Sequence, residues 1–158
     1  MKKRIGVVGL GIMGSAISGN FIKSGYDVAG FDVNADQAVA FAKNGGTALD
    51  SPAEVAAESD IVLTLLPSSA ALDAVCTGEE GFADAGTADF MIMECSTLPI
   101  KDKQRNHDAL TAAGITMLDT PLSGTGAQAQ LKDLAVYLSG DEAAANTCAE
   151  VIAGFARA

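Results

Sequence analysis

Gly9, Gly11 and Gly14 follow the spacing G-x-G-x-x-G, and Asp32 stands about 20 residues further on. This combination suits one task, the binding of a dinucleotide. The first glycine permits a tight turn, the second lets the backbone approach a pyrophosphate, and the third lets a helix pack closely on a strand. Free N–H groups at the start of the following helix form a ready phosphate site. A carboxylate at Asp32 accepts both hydroxyls of the adenosine ribose in charge-assisted bonds, each contributing about 1.5–3 kcal/mol. It would repel a 2′-phosphate, and the next residues, Val33 and Asn34, carry no positive charge to offset that. The expected cofactor is therefore NAD in preference to NADP. A competing role for Asp32 is to cap the helix of "NADQAVAFAKNGG", which Asn34 can do equally well.

Other side chains with chemical potential read more blandly. His107, the only histidine, lies among Lys, Asp, Gln, Arg and Asn on a polar helix face. A Ser123–His107–Asp119 triad fails on motif, because "PLSGT" is not G-x-S-x-G. Lys132 beside Asp133 reads as a solvated lysine. Glu79 and Glu80 precede Gly81 and read as a solvated turn. Cys76, Cys95 and Cys148 are odd in number and far apart, which suggests neither a disulfide framework nor a zinc site. Cys95 in a buried strand and Cys148 in a helix read as small core filler. No metal site is expected.

The elements that must position the glycine turn are legible around it. Ile5 to Val8 is a short β-branched strand, and Met13, Ile17 and Phe21 then share one helix face until Gly25 ends it. A secretory signal peptide would need an unbroken apolar helix here, but Gly6, Gly9, Gly11 and Gly14 interrupt the run. "YDVAGFD" is a second strand ending in Asp32. Ser51-Pro52-Ala53-Glu54 is a capping box with proline at the first helical position, opening a helix that ends near Ser59. Ile61 to Pro67 and Phe90 to Thr97 are strands buried on both faces, with a short helix, "SSAALDAVC", between them. Residues 99 to 113 form an amphipathic helix closed by Gly114. "ITMLDTP" and Asp133 to Gly140 are further strands, and Asp141 caps a last helix carrying Val151, Ile152 and Phe155. The alternation implies a Rossmann-type doubly wound, mostly parallel α/β sheet in a single three-layer domain over residues 1–158. Ligands of such sheets lie beyond the carboxyl ends of the strands.

The totals agree with this class and exclude others. The chain has 158 residues, 49% hydrophobic and 19% charged, with a net charge of −10. Those are globular values. A surface that acidic repels nucleic-acid phosphates and anionic lipid, so neither is an expected partner. No stretch is apolar for the length of a membrane span. Reduced cysteines fit a cytoplasmic location.

Taken together, "GLGIMGSAI", "FDVN", "LTLLP", "ECSTLP" and "LDTPLSGTGA" resemble the β-hydroxyacid dehydrogenase family, which includes 3-hydroxyisobutyrate and 6-phosphogluconate dehydrogenases and tartronate semialdehyde reductase. The likeness spans the whole chain. It implies that Gly9, Leu10, Gly11, Ile12, Met13 and Gly14 bind the pyrophosphate and that Leu66 and Pro67 flank the nucleotide. It implies that Thr97, with Ser96, approaches the nicotinamide ribose. Ser123, Gly124 and Thr125 align with the family's Ser-Gly-Gly loop, which holds the substrate carboxylate. Thr125 departs from that pattern, and its hydroxyl is expected to read a polar substrate or to narrow the pocket. "AQAQLKDLAVYLSG" also replaces the usual glycine-containing run. The implied activity is hydride transfer between a nicotinamide cofactor and a small 3-hydroxy acid, such as 3-hydroxyisobutyrate, tartronate semialdehyde or a threonate-like acid. The family's catalytic lysine, in G-x-x-x-K-x-x-N, would lie beyond Ala158, together with a helical domain that carries the homo-oligomer contacts. The chain is then expected to bind NAD and to catalyse little alone. The alternative is a non-catalytic module that senses NAD(H) or organises an assembly.

Overall fold

Ile5–Val8 forms strand β1, buried at every residue, as a β-branched run bordered by Arg4 and Gly9 should be in a sheet covered on both faces. The other main strands are β2 (Val28–Phe31), β3 (Thr47–Ala48), β4 (Ile61–Thr64), β5 (Met91–Glu94) and β6 (Thr116–Asp119). In this computed structural model, which describes residues 1–157, they form one six-stranded sheet in the order β3-β2-β1-β4-β5-β6. Every pairing in it is parallel. Val8 is level with Phe31 and Thr64, Thr64 with Glu94, and Glu94 with Asp119. Five strands therefore end along one edge, and the residues that follow them make a common crest.

Side-chain alternation sends Val7, Leu63 and Met93 to one face and Val8, Val62 and Ile92 to the other. The first face packs under α1 (Ile12–Lys23) and α2 (Ala35–Lys43) through Ile17, Phe21 and Phe41. The second is covered by α3 (Pro52–Ala57), α4 (Ser69–Thr77) and α5 (Ile100–Ala112) through Val55, Leu72, Val75, Cys76 and Leu110. Each large side chain fully buried this way contributes about 1.5–3 kcal/mol. The three expected layers are present. Among the described residues, no helix is long and apolar enough to cross a membrane.

The end of the chain departs from the expected pattern. Of the expected strand Asp133 to Gly140, only Ala135–Val136 (β8) forms a strand, and its partner is β7 (Leu122–Ser123), antiparallel, in a separate ribbon. A lone antiparallel bridge between Asp119 and Ser139 links this segment to β6. The cause is the connection. Between β7 and β8 the chain forms α6 (Gly126–Gln130), whose five residues at about 1.5 Å each cannot run back along the sheet, so the chain returns antiparallel. α7 (Glu142–Ile152), capped by Asp141 as its sequence suggests, then lays Cys148 and Val151 on the α1 face. Phe155 follows and meets Phe21 with ring centres 5.5 Å apart. Two smaller differences concern boundaries: α3 stops at Ala57 rather than near Ser59, and β3 has no counterpart in the sequence reading.

Candidate functional site

The turn from β1 into α1 is shaped by two of its glycines and left open by the third. Gly9 has φ +96°, and a Cβ there would run into the Leu65 carbonyl oxygen. A Cβ on Gly14 would meet the carbonyl oxygen of Gly9. Both are required by the protein's own packing. Gly11 is different: its φ is −70°, which any residue adopts, and a Cβ there would meet nothing within 4 Å. Its bareness serves whatever approaches from outside. Gly11 is also the N-cap of α1 and makes no side-chain cap bond, and the first turn carries no acidic residue. The first amides of a twelve-residue helix therefore face the crest with the positive end of the helix dipole behind them.

Asp32, the residue after β2, braces this turn. Its Oδ2 accepts from the Leu10 amide at 2.7 Å and its Oδ1 from the Asn34 amide at 2.8 Å. Asn34, not Asp32, caps α2, accepting from the Asp36 amide. An ionised carboxylate offers about four lone-pair sites, so each oxygen keeps capacity for one ribose hydroxyl.

These elements enclose a cavity of about 740 Å³, within the roughly 300–1,000 Å³ of small-molecule sites. Gly9, Gly11, Ile12, Met13, Gly14 and Asp32 line it, as do Leu66, Pro67, Ser96, Thr97 and Gly124. Leu10, Ser123 and Thr125 do not: the Leu10 side chain is buried in the core, and only its amide serves the site. Ile12 and Val33, 81% and 92% exposed, stand at the rim, as apolar side chains do where a ligand is to cover them. Among the described residues, the only charged ones lining the cavity are Asp32 and Glu79, so the solvated turn read at Glu79 faces the site. A dinucleotide fits this donor set: amides for the pyrophosphate, a carboxylate for the ribose, apolar walls for the rings.

At the other end of the crest, Ser96 and Thr97 follow β5. Ser96 is buried, and its Oγ accepts from the Leu66 amide at 2.8 Å, so it ties the β4 end to the β5 end. Thr97 is exposed beside it. Beneath them lies a polar cluster that the sequence reading missed. The Glu94 carboxylate is fully buried, and its Oε1 accepts from Thr64 Oγ1 and the Ser96 amide. Lys103 Nζ sits 2.9 Å from Glu94 Oε2 and 2.6 Å from Asp119 Oδ1. Burial pulls the Lys103 ammonium down, but its hydrogen bonds to Asp119 and Glu94 outweigh that and hold it above the usual lysine value. One cation thus clamps the ends of β5 and β6 just before the loops that face the ligand. Lys103 lies in the same polar run as His107, where residue type alone does not set it apart. Its spacing of seven to the buried Leu110 is the signal that puts it on the inner one.

Thr125 also differs from expectation. Its hydroxyl accepts from the Gln128 amide while Gln128 Oε1 accepts from the Thr125 amide, a reciprocal cap on α6. The T-x-x-Q spacing carries that signature. His107 lies on the exposed side of α5 against Gln104 and Asp108, away from the cavity. Lys132, half-buried with φ +57°, donates to Ser24 Oγ. Cys76, Cys95 and Cys148 are free and buried. No group of three or more His, Cys, Asp or Glu among the described residues could hold a metal ion.

A family model described as the NAD binding domain of 6-phosphogluconate dehydrogenase matches residues 4–158. The chain is 31% identical over 156 residues to an L-threonate dehydrogenase of Cupriavidus necator, covering 99% of this chain and 52% of that protein. It is 32% identical over 145 residues to a probable mitochondrial 3-hydroxyisobutyrate dehydrogenase of Dictyostelium discoideum, covering 92% of this chain and 45% of that one. Among solved structures, the Mycobacterium tuberculosis 3-hydroxyisobutyrate dehydrogenase with L-serine superposes with a TM-score of 0.91 at 31% identity, over 99% of this chain and 53% of that one. The chain spans about half the length of the curated relatives it matches.

Proposed function

The chain belongs to the family of the NAD binding domain of 6-phosphogluconate dehydrogenase, and from that premise we propose that it holds NAD for an oxidoreductase acting on a small 3-hydroxy acid. The observation that carries this reading is Gly11, a glycine that neither backbone conformation nor packing requires, at the point where a pyrophosphate would meet the first amides of α1. Bound nicotinamide supplies the acceptor or donor of hydride. The chain's residues do the holding. Asp32 accepts the adenosine ribose hydroxyls, and Leu66 and Pro67 flank the nucleotide. Thr97 contacts the nicotinamide ribose while Ser96 keeps the Leu66 amide in place. Ser123 and Gly124 receive the substrate carboxylate, with Thr125 fixing the start of α6 behind them.

Among the described residues no lysine or histidine lines the cavity, and in this reading the proton of the substrate hydroxyl passes to a base from outside these lining residues. Alone, the chain binds cofactor and turns over little. Relatives named for L-threonate and 3-hydroxyisobutyrate support the substrate class. Three free thiols support a reducing, cytoplasmic setting. With two carboxylates and no cation on its walls, the cavity favours NAD, because a 2′-phosphate would meet only negative charge.

Calorimetric titration with NAD and NADP side by side tests the reading. NAD should bind at least tenfold more tightly. Asp32→Ala should weaken NAD by about 10- to 100-fold, the loss of one or two charge-assisted bonds, and should narrow the gap to NADP. Tighter NADP binding, or an Asp32→Ala variant with both affinities unchanged, would overturn it.

A further inference from the structure

One wall of the cavity runs along α4. Ala71, Ala74 and Val75 line it, spaced three and four apart on one helix face; the helix ends at Thr77, Gly78 is extended, and Glu79 in the turn that follows also lines the cavity. The turn that carries Glu79 is pinned in place. The Glu80 carbonyl accepts from the Ala53 amide at 2.9 Å, and the Glu80 amide donates to Asp84 Oδ2 at 3.0 Å. Glu80 itself has φ +56°, a left-handed conformation that reverses the chain. Ala53 belongs to α3, which packs on β1 and β2, so Glu79 stands on the Asp32 side of the crest, away from Ser96 and Thr97. Val33 and the side chains of α4 offer this cavity apolar surface of the kind a flat ring covers, and among the described residues Glu79 is the only charged group besides Asp32 on its wall.

Asp32 is committed to the ribose in the reading above, on which this inference rests. That leaves Glu79 with the base. A carboxylate accepts hydrogen bonds and donates none. Adenine presents an amino group at position 6, a donor, whereas a 6-oxo purine presents an acceptor there. We propose that Glu79 is a specificity residue for the purine base, accepting from the 6-amino group and rejecting 6-oxo bases by opposing one acceptor with another. A site that hydrogen-bonds one substituent discriminates against the analogue lacking it more strongly than apolar contact does.

The test is a titration of the unaltered chain with NADH and with reduced nicotinamide hypoxanthine dinucleotide, which carries an oxo group at position 6 of the base and a hydrogen on the adjacent N1, followed by nicotinamide fluorescence. NADH should bind roughly tenfold more tightly, the scale of one hydrogen bond to a charged group. Glu79→Gln should bring the two affinities within about twofold, since its amide can donate to an oxo group as well as accept. Glu80→Ala, which removes the neighbouring carboxylate outside the cavity lining, should leave the tenfold ratio in place. Equal affinity for both dinucleotides in the unaltered chain, or a ratio unmoved by Glu79→Gln, would overturn the role of Glu79 while leaving dinucleotide binding intact. Failure of both compounds to bind would overturn dinucleotide binding itself, and with it this inference.

Discussion

At the scale of single residues, the three glycines of one motif do different jobs, and substitution should separate them. Gly14→Ala forces a Cβ against the Gly9 carbonyl oxygen and should destabilise the fold by about 1–3 kcal/mol or more, as overpacking does. Gly11→Ala meets open space and should leave the urea midpoint nearly unchanged while weakening NAD binding tenfold or more. Equal loss of stability in both variants would refute the distinction. The glycine turn was legible in the sequence because it answers local demands: a positive φ at Gly9 and a close approach of helix to strand at Gly14. Glu79 was not. Its facing depends on α3 holding the turn that follows α4, and nothing in "TGEEGF" distinguishes a carboxylate lining a cavity from one in water. Thr125 was legible only in part, since its hydroxyl was noticed and the cap that uses it was not.

At the scale of elements, the long helices and the buried strands of the sheet were readable from periodicity, whereas the short β3, β7 and α6 were not, nor was how the ends are joined. Lys103 is the case in point. Its side chain is 8% exposed and that of Glu94 0%, so the two charges sit where either alone would be costly. Lys103→Met leaves the Glu94 carboxylate buried without its counter-ion and should cost about 3–5 kcal/mol in denaturant unfolding. Lys103→Met combined with Glu94→Gln should recover part of that. If the single variant is as stable as the parent, the clamp between β5 and β6 contributes nothing. Thr125→Ala, which removes only the cap on α6, should cost about 1 kcal/mol, and the gap between the two variants measures how much a buried tie exceeds a surface one. The misplaced segment from Asp133 to Gly140 has the same origin. Its residues do alternate, with Leu134 buried and Tyr137 exposed, but alternation says nothing about which strand becomes the partner.

At the scale of the whole molecule, the interior imposes a pH limit. Burial, the largest cause for each, pushes the Cys76 and Cys95 thiols from 9.0 up to about 12 and the Cys148 thiol up to about 11. Below pH 9 these thiols are protonated whether the chain is folded or not. Above it the unfolded chain ionises first, so stability is lost as pH rises from about 9 toward the folded values, at roughly 1.4 kcal/mol per pH unit for each thiol. Lys103 adds to the loss only above 10.5, because its pKa is raised from there. Urea midpoints should fall between pH 8.5 and 10, and Cys76→Ala should flatten the slope. A midpoint independent of pH over that interval would contradict the burial of the thiols. The doubly wound order of the strands was legible because β-α alternation permits few topologies. That order also sets a sequence in time. β1 lies between β2 and β4, and the first bend after it rests on the carbonyl of Leu65. During synthesis the glycine turn therefore has no wall to press it into shape until the fourth strand has followed and has slid in beside the first.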